Sequence, residues 1–322
     1  MFKESITVIF FALLSLHTFG QRTETALYFN QRNTHIHIES ENDLLFQTDY
    51  YYTAGVALSS VHKNLKNTPA QFILKSKKQT ALFFNGFGIE QRIFTPFSIK
   101  NPTTIENDRP YTAYFMLSNF STRINLEKHL KIANEIGIGV MGPAAGGKEI
   151  QTNVHQLLGS TLPNGWENQL SNSFIIDYQF RIEKGFLNEW TANHIIPIGE
   201  VRIGTLINKV DIGLKLKFGN VTKSLKEKEA GLIKKQIIWE WLFEAKYQRV
   251  FYDATLQGGI ISKDKVIALS KTEISLRQYH LRSGFNFYYK RLFFRYMIYF
   301  NSKNFSSGKT HQYGGISIGF SF

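Results

Sequence analysis

The sequence predicts an all-β protein: a single transmembrane antiparallel β-barrel of about twelve strands, with a short helix in one outward-facing loop. Three observations predict it. Apolar residues recur at every second position in segment after segment, the spacing of a strand with one apolar face. The chain carries 28 Phe and 15 Tyr against 7 Pro, a balance that favours strands. It opens on a stretch that reads as a secretory leader and closes on an aromatic residue, Phe322, a mark of outer-membrane barrels.

Charge and leader narrow the compartment. The 322 residues include 38 basic and 25 acidic side chains, a net charge of +13, which points to an anionic partner. That partner is nucleic acid or phosphate-bearing lipid, and the N-terminus selects lipid. Lys3 precedes a largely apolar run, Ile6 to Leu16, of about eleven residues, too short to span a bilayer. The run has the length of a signal-peptide core, with cleavage expected near Gly20. Residues 1–20 are thus expected to be a signal peptide, and residues 21–322 a monomeric outer-membrane barrel with no nucleic-acid partner. Cysteine is absent, which excludes disulfides, thiolate metal sites and cysteine nucleophiles. No later segment offers about eighteen uninterrupted apolar residues, so a transmembrane helix is excluded as well.

The strands follow in order. Ile36 and Ile38 oppose His35 and His37, and Tyr111, Ala113, Phe115 and Leu117 alternate with Thr112, Tyr114 and Ser118. Ile212, Leu214, Leu216 and Phe218 oppose Asp211, Gly213, Lys215 and Lys217. Leu292, Phe294, Tyr296, Ile298 and Phe300 share one face, and Ile316, Ile318, Phe320 and Phe322 share another. Strands are expected near 33–40, 52–62, 80–94, 110–121, 129–141, 173–184, 195–207, 210–218, 237–251, 273–288, 291–302 and 311–322. Residues 219–236 form a charged connection that reads as a solvated loop. Such patterning fits a soluble sandwich as well as a membrane barrel; the leader and the aromatic strand ends favour the barrel.

The connections carry the chemistry. With both termini in the periplasm, each odd-to-even connection faces outward. The first carries Glu41, Asn42 and Asp43, with Thr53 at its far end; the second carries Lys100 and Arg109; the third carries Gln151 and His155. Three polar clusters therefore converge on one rim, the arrangement expected of a site. The third opens on Gly142 and runs through Gly146-Gly147-Lys148 into the expected helix, Lys148 to Leu158. Gln151 and His155, four apart, share one face of that helix. The glycines and Lys148 imitate a phosphate-binding loop, yet Glu149 stands where that motif needs Ser or Thr. No strand–helix alternation supports a parallel sheet either, so the nucleotide reading fails.

On the residues alone, each of these side chains has a plain structural alternative. Asn42 and Asp43 suit a turn, Thr53 suits a strand, and Arg109 suits a pair with Asp108. Their chemical readings are Asp43 as a ligand for a hard cation, Asn42 as a donor to an oxyanion, and His155 as a general base. Lys100 and Arg109 suit the phosphates of a lipid. Trp166 and Gln169 read as loop packing.

The order Glu-Asn-Asp, Thr-Asp-x-Tyr-Tyr-Thr-x-Gly, Asp-Arg-Pro-Tyr, Gly-Pro-x-Ala-Gly-Gly-x-Glu-x-Gln-x-x-x-His and Gly-Trp-x-x-Gln resembles the LpxR-type lipid A 3'-O-deacylase family. Tyr247 to Gly259 resembles it too. The resemblance implies a twelve-stranded outer-membrane barrel that removes the ester-linked 3' acyloxyacyl group of lipid A (the lipid of lipopolysaccharide), with calcium as cofactor. It implies site roles for Asn42, Asp43, Thr53, Gln151 and His155, and for Lys100 after a short gap. One position departs: the family's glutamate six residues beyond the histidine is here Thr161. Two rival functions are a phospholipase-like barrel with a serine nucleophile (Ser59, Ser60 or Ser118) and a non-enzymatic pore.

Overall fold

The computed structural model describes residues 34–43, 46, 48, 50–62, 64–74, 81–100, 107–125, 127–185, 194–220, 237–260 and 268–322. The expected signal peptide, and all of the charged connection beyond Asn220 up to residue 236, lie outside these residues.

Twelve strands close into one antiparallel barrel, each paired to its neighbours in sequence, with the first strand meeting the last. They are β1 (Thr34–Asn42), β2 (Tyr51–His62), β3 (Ala81–Thr95), β4 (Thr112–Asn125), β5 (Leu130–Met141) and β6 (Ser173–Lys184). Then follow β7 (His194–Gly204), β8 (Ile207–Gly219), β9 (Ile238–Asp253), β10 (Arg277–Tyr289), β11 (Leu292–Asn301) and β12 (His311–Ser321). Closure of β1 on β12 runs from His35 opposite Ser321 to Asn42 opposite Gly314, so no edge strand is left open. Most of the expected boundaries fall within two residues. The largest differences are at β4, which runs four residues further, and β10, which starts four residues later. β4 extends because Phe120 and Ile124 pack with Val61, Phe84 and Ala133 in an apolar cluster. Residues 273–276 are instead drawn into the loops, where Ile274 makes an isolated bridge to Phe305.

Alternation sorts the side chains between two environments. Outward positions such as Ile38, Leu58, Ile89, Leu117, Ile138 and Ile212 are exposed and form the apolar wall that lipid covers. Inward positions are charged and buried. Arg181 reaches Glu183 at 2.7 Å, Glu200 at 2.9 Å and Glu244 at 2.8 Å. Lys215 holds Glu183 at 2.8 Å, Arg282 holds Glu244 at 2.7 Å, and Lys246 joins Glu200 to Asp211. Charges this deeply buried persist only when paired. The network fills the middle of the barrel; the cavity above it, toward the outer mouth, is about 180 Å³.

Two elements pack on the outside of the wall. At the periplasmic end α1 (Pro69–Ile73) lies against β4 and β5. Asn119 accepts from the Ala70 amide, and Asn134 donates to the Ala70 carbonyl. At the opposite end α2 (Gly147–Leu158), one residue longer than the helix expected from the sequence, lies against β3 and β4. A third short helix, α3 (Ala254–Gln257), caps the outer mouth after β9.

Candidate active site

The helix α2 approaches the wall where the sequence has room for it. A Cβ on Gly147 would collide with the Ala113 side chain and lie 2.8 Å from the Trp166 ring, so only glycine lets the backbone come this close. Before it, Gln91, pointing outward from β3, donates to the Ala145 carbonyl. The helix ends at Gly159 (φ 63°), where the Ser160 amide reaches back to the His155 carbonyl at 2.9 Å. Beneath it Ile93, Ile99, Tyr111, Ala113, Ala145 and Trp166 form a buried apolar cluster on the outer face of the barrel. The helix thus sits on the outer wall of the barrel and not over its mouth.

Three residues of α2 face that wall and are buried: Gly147, Gln151 and His155. His155 Nδ1 lies 2.5 Å from the Thr161 carbonyl oxygen. A carbonyl can only accept, so Nδ1 carries the hydrogen, and the lone pair of the neutral ring is on Nε2. The side chain at 161 is exposed and takes no part in that contact. Gln151 does not orient the histidine, as the four-residue spacing suggested. Its Oε1 accepts from Trp166 Nε1 at 2.8 Å, which fixes the amide. Its Nε2 is buried and makes no hydrogen bond within the protein. Trp166, read from sequence as packing, both packs on Tyr111 (ring centroids 4.8 Å apart) and sets the direction of Gln151. The motif Gly-Trp-x-x-Gln was the only sequence signal for it.

The other half of the site is built from β1 to β3. A bulge between Tyr52 and Ala54 leaves Thr53 outside the regular pairing of β2. Its free-standing carbonyl accepts from Asn42 Nδ2 at 2.9 Å, and its hydroxyl meets the Thr95 hydroxyl at 2.7 Å. Thr95 lies two residues beyond Ile93 on the outward side of β3, about 7 Å further along the strand. Because Ile93 packs with Trp166, both halves of the site share one face of β3. Asp43 is buried and accepts from the Thr48 hydroxyl at 3.1 Å and the Tyr50 amide at 3.2 Å, closing the turn from β1 to β2. Lys100 is exposed, one residue after Ile99, whose carbonyl accepts from the Asn164 amide at 2.8 Å.

Arg109 is placed elsewhere. Its guanidinium turns into the barrel mouth, lies 4.2 Å from the Phe94 ring and donates to the Thr255 hydroxyl. Burial lowers its pKa to about 10, against the opposing pull of Asp253 and Asp108. Asp108 does not pair with that guanidinium; it accepts from the Phe97 and Arg109 amides, and burial raises its pKa. The expectation that Arg109 joins Lys100 at the site is therefore corrected: the turn before β4 points it across the rim. The serines are also apart from His155. Ser59 and Ser118 are buried inside the barrel, and Ser60, 2.7 Å from His62, is at the periplasmic end.

For a metal, the donor set is sparse. Among the described residues no group of three or more His, Cys, Asp or Glu could hold one. Among the described residues Asp43 offers a carboxylate beside the Thr48 hydroxyl and its own carbonyl, oxygen donors of the kind a hard cation takes.

Fold and site together define an outer-membrane β-barrel with a loop helix packed on its outer wall and polar side chains buried beneath it. More particularly, the model of the family described as outer membrane protein LpxR matches residues 7–322, and the chain belongs to that family. Among solved structures, LpxR from Salmonella typhimurium matches with a TM-score of 0.72 at 20% identity, over 89% of this chain and all 100% of that one. The β domain of the Bordetella autotransporter Brka matches at a TM-score of 0.46 and 7% identity, over 90% of this chain and 99% of that one. No curated protein matches the sequence.

Proposed function

We propose that this chain hydrolyses the ester-linked 3' acyloxyacyl group of lipid A in the outer membrane, with calcium. One observation carries the reading: a buried histidine with a fixed tautomer is held against the outer wall, on the side of the barrel where Thr95, Thr53 and Asn42 also lie. Family membership supports the same substrate class.

In this scheme His155 Nε2 takes a proton from water as the water attacks the ester carbonyl, and returns it to the leaving oxygen. Thr161, through its carbonyl, holds the ring through both transfers and stabilises the imidazolium between them. Gln151, fixed by Trp166, presents its amide N–H groups to the oxygen of that water. Asn42, anchored by its Nδ2 bond to the Thr53 carbonyl, stands to stabilise the developing oxyanion. Thr53 and Thr95 hold Asn42 in place from the neighbouring strands. Asp43 would hold calcium, which when bound polarises the carbonyl and adds to oxyanion stabilisation. Lys100, at the exposed edge, holds a phosphate of the headgroup.

Mass spectrometry of lipid A from cells expressing the protein tests this. We expect loss of an ester-linked acyl mass that disappears with a chelator and with His155→Ala, a loss of about 100-fold or more in rate. Unchanged lipid A with folded wild-type protein would sink the substrate; full activity of the variant would sink the base.

A further inference from the structure

Among the described residues, nothing covers the apolar face that α2 turns away from its polar side. Ile150, Val154 and Leu157, spaced i, i+4, i+7, are 39%, 42% and 56% exposed, and Leu162 beyond the helix is 48% exposed. Lys148, Glu149, Asn153 and Gln156 are exposed on the other side. With Gly147, Gln151 and His155 against the wall, the helix carries three distinct stripes: one on the barrel, one polar, one apolar. A soluble loop helix gains nothing from the third stripe. A helix lying at the level of a lipid headgroup does.

Its surroundings say what covers it. α2 sits on β3 and β4, whose outward residues Phe87, Ile89, Phe115 and Leu117 are exposed apolar members of the lipid-facing wall. The stripe lies beside that wall, with Gln91 between them tied to the Ala145 carbonyl, and the polar stripe is exposed on the other side of the helix. We infer that α2 is an interfacial helix: Ile150, Val154 and Leu157 sit in the acyl-chain layer of the outer leaflet and form the lip over which a lipid substrate enters the site sideways. The occupant is hydrocarbon of membrane lipid. The entry role rests on the lipid-hydrolase reading above; the placement of the helix does not.

The absence of native cysteine allows a test of placement that needs no activity. Nitroxide labels are attached at Val154→Cys, Leu157→Cys, Asn153→Cys and, on the wall, Ile138→Cys, in protein folded into phospholipid vesicles. At 154 and 157 the label is expected to collide more with dissolved oxygen than with a water-soluble nickel complex, as at 138; at 153 the preference reverses. Equal, water-like accessibility at 153, 154 and 157 would overturn the placement. For the entry role, Ile150→Ser/Val154→Ser/Leu157→Ser protein is compared with wild type on lipid A in vesicles and in detergent micelles. Burial of three aliphatic side chains predicts a loss of about tenfold or more in vesicles, with micellar activity within about twofold. An equal loss in both, or none in either, would overturn the entry role. If wild type is inactive on lipid A in both, the catalytic reading and the entry role fail, while the label result still decides where the helix lies.

Discussion

The imidazole of His155 takes its orientation from a backbone atom, the Thr161 carbonyl. A carbonyl is supplied by any residue, so the side chain at 161 does not set the tautomer. Thr161 is exposed, and exposed substitutions away from special contacts change free energies by about 0.5 kcal/mol, about a factor of two in rate. Thr161→Ala is therefore expected to keep wild-type rates of fatty-acid release within that factor, with an unchanged pH profile. A tenfold loss would mean that the side chain, and not the carbonyl, serves the site. Sequence alone placed His155 and Gln151 on one helical face but paired them with each other, because spacing reports direction and not partner. The partners, Thr161 and Trp166, come from the loop that folds back under the helix, and no local rule reaches that far.

Elements were far more legible than partners. Period-two alternation is a property of neighbouring residues, so the strands declared themselves along the chain; β6 falls over the same residues in sequence and structure. The helix α2 was legible from its glycine start and its composition. Two features that build the site were not. The bulge that turns Thr53 outward depends on how β2 meets both neighbours, and the side of the wall on which α2 docks depends on Gly147 meeting Ala113 and Trp166. The docking makes its own prediction. Gly147→Ala adds a methyl where backbone, Ala113 and Trp166 already touch, and overpacking of that kind costs about 1–3 kcal/mol. The barrel's pairing does not pass through α2, so the variant is expected to keep its heat-modifiable migration on a gel. Catalysis should nevertheless fall about tenfold or more, because the helix is pushed off the wall that carries Thr95 and Asn42. Unchanged activity would show that α2 docks less tightly than its contacts imply.

For the whole molecule, what holds the barrel and what closes it are the same side chains. The outer wall gains from lipid, and the lumen combines apolar clusters, such as Val61, Phe84, Phe120 and Ile124, with a charged network in which Arg181, Lys215, Arg282 and Lys246 are balanced against Glu183, Glu200, Asp211 and Glu244. Glu244 is central, since it receives both Arg181 and Arg282 below 3 Å and Lys215 at 3.9 Å. Replacing it with Gln keeps the volume and one acceptor but leaves its cations short of one negative charge in a buried place. Breaking one side of such a network costs about 3–5 kcal/mol, more than the pairing itself contributes net. Glu244→Gln is expected to lower the urea midpoint of the barrel clearly while leaving the outer-wall site intact, so that folded protein keeps its activity. The same network blocks ion flow: wild type should show no discrete conductance steps in a planar bilayer. If the variant unfolded at the wild-type midpoint, the network would be a filler of the lumen and not a brace, and the stability of the barrel would have to come from its strand pairing, its lumenal apolar clusters and its lipid-covered wall.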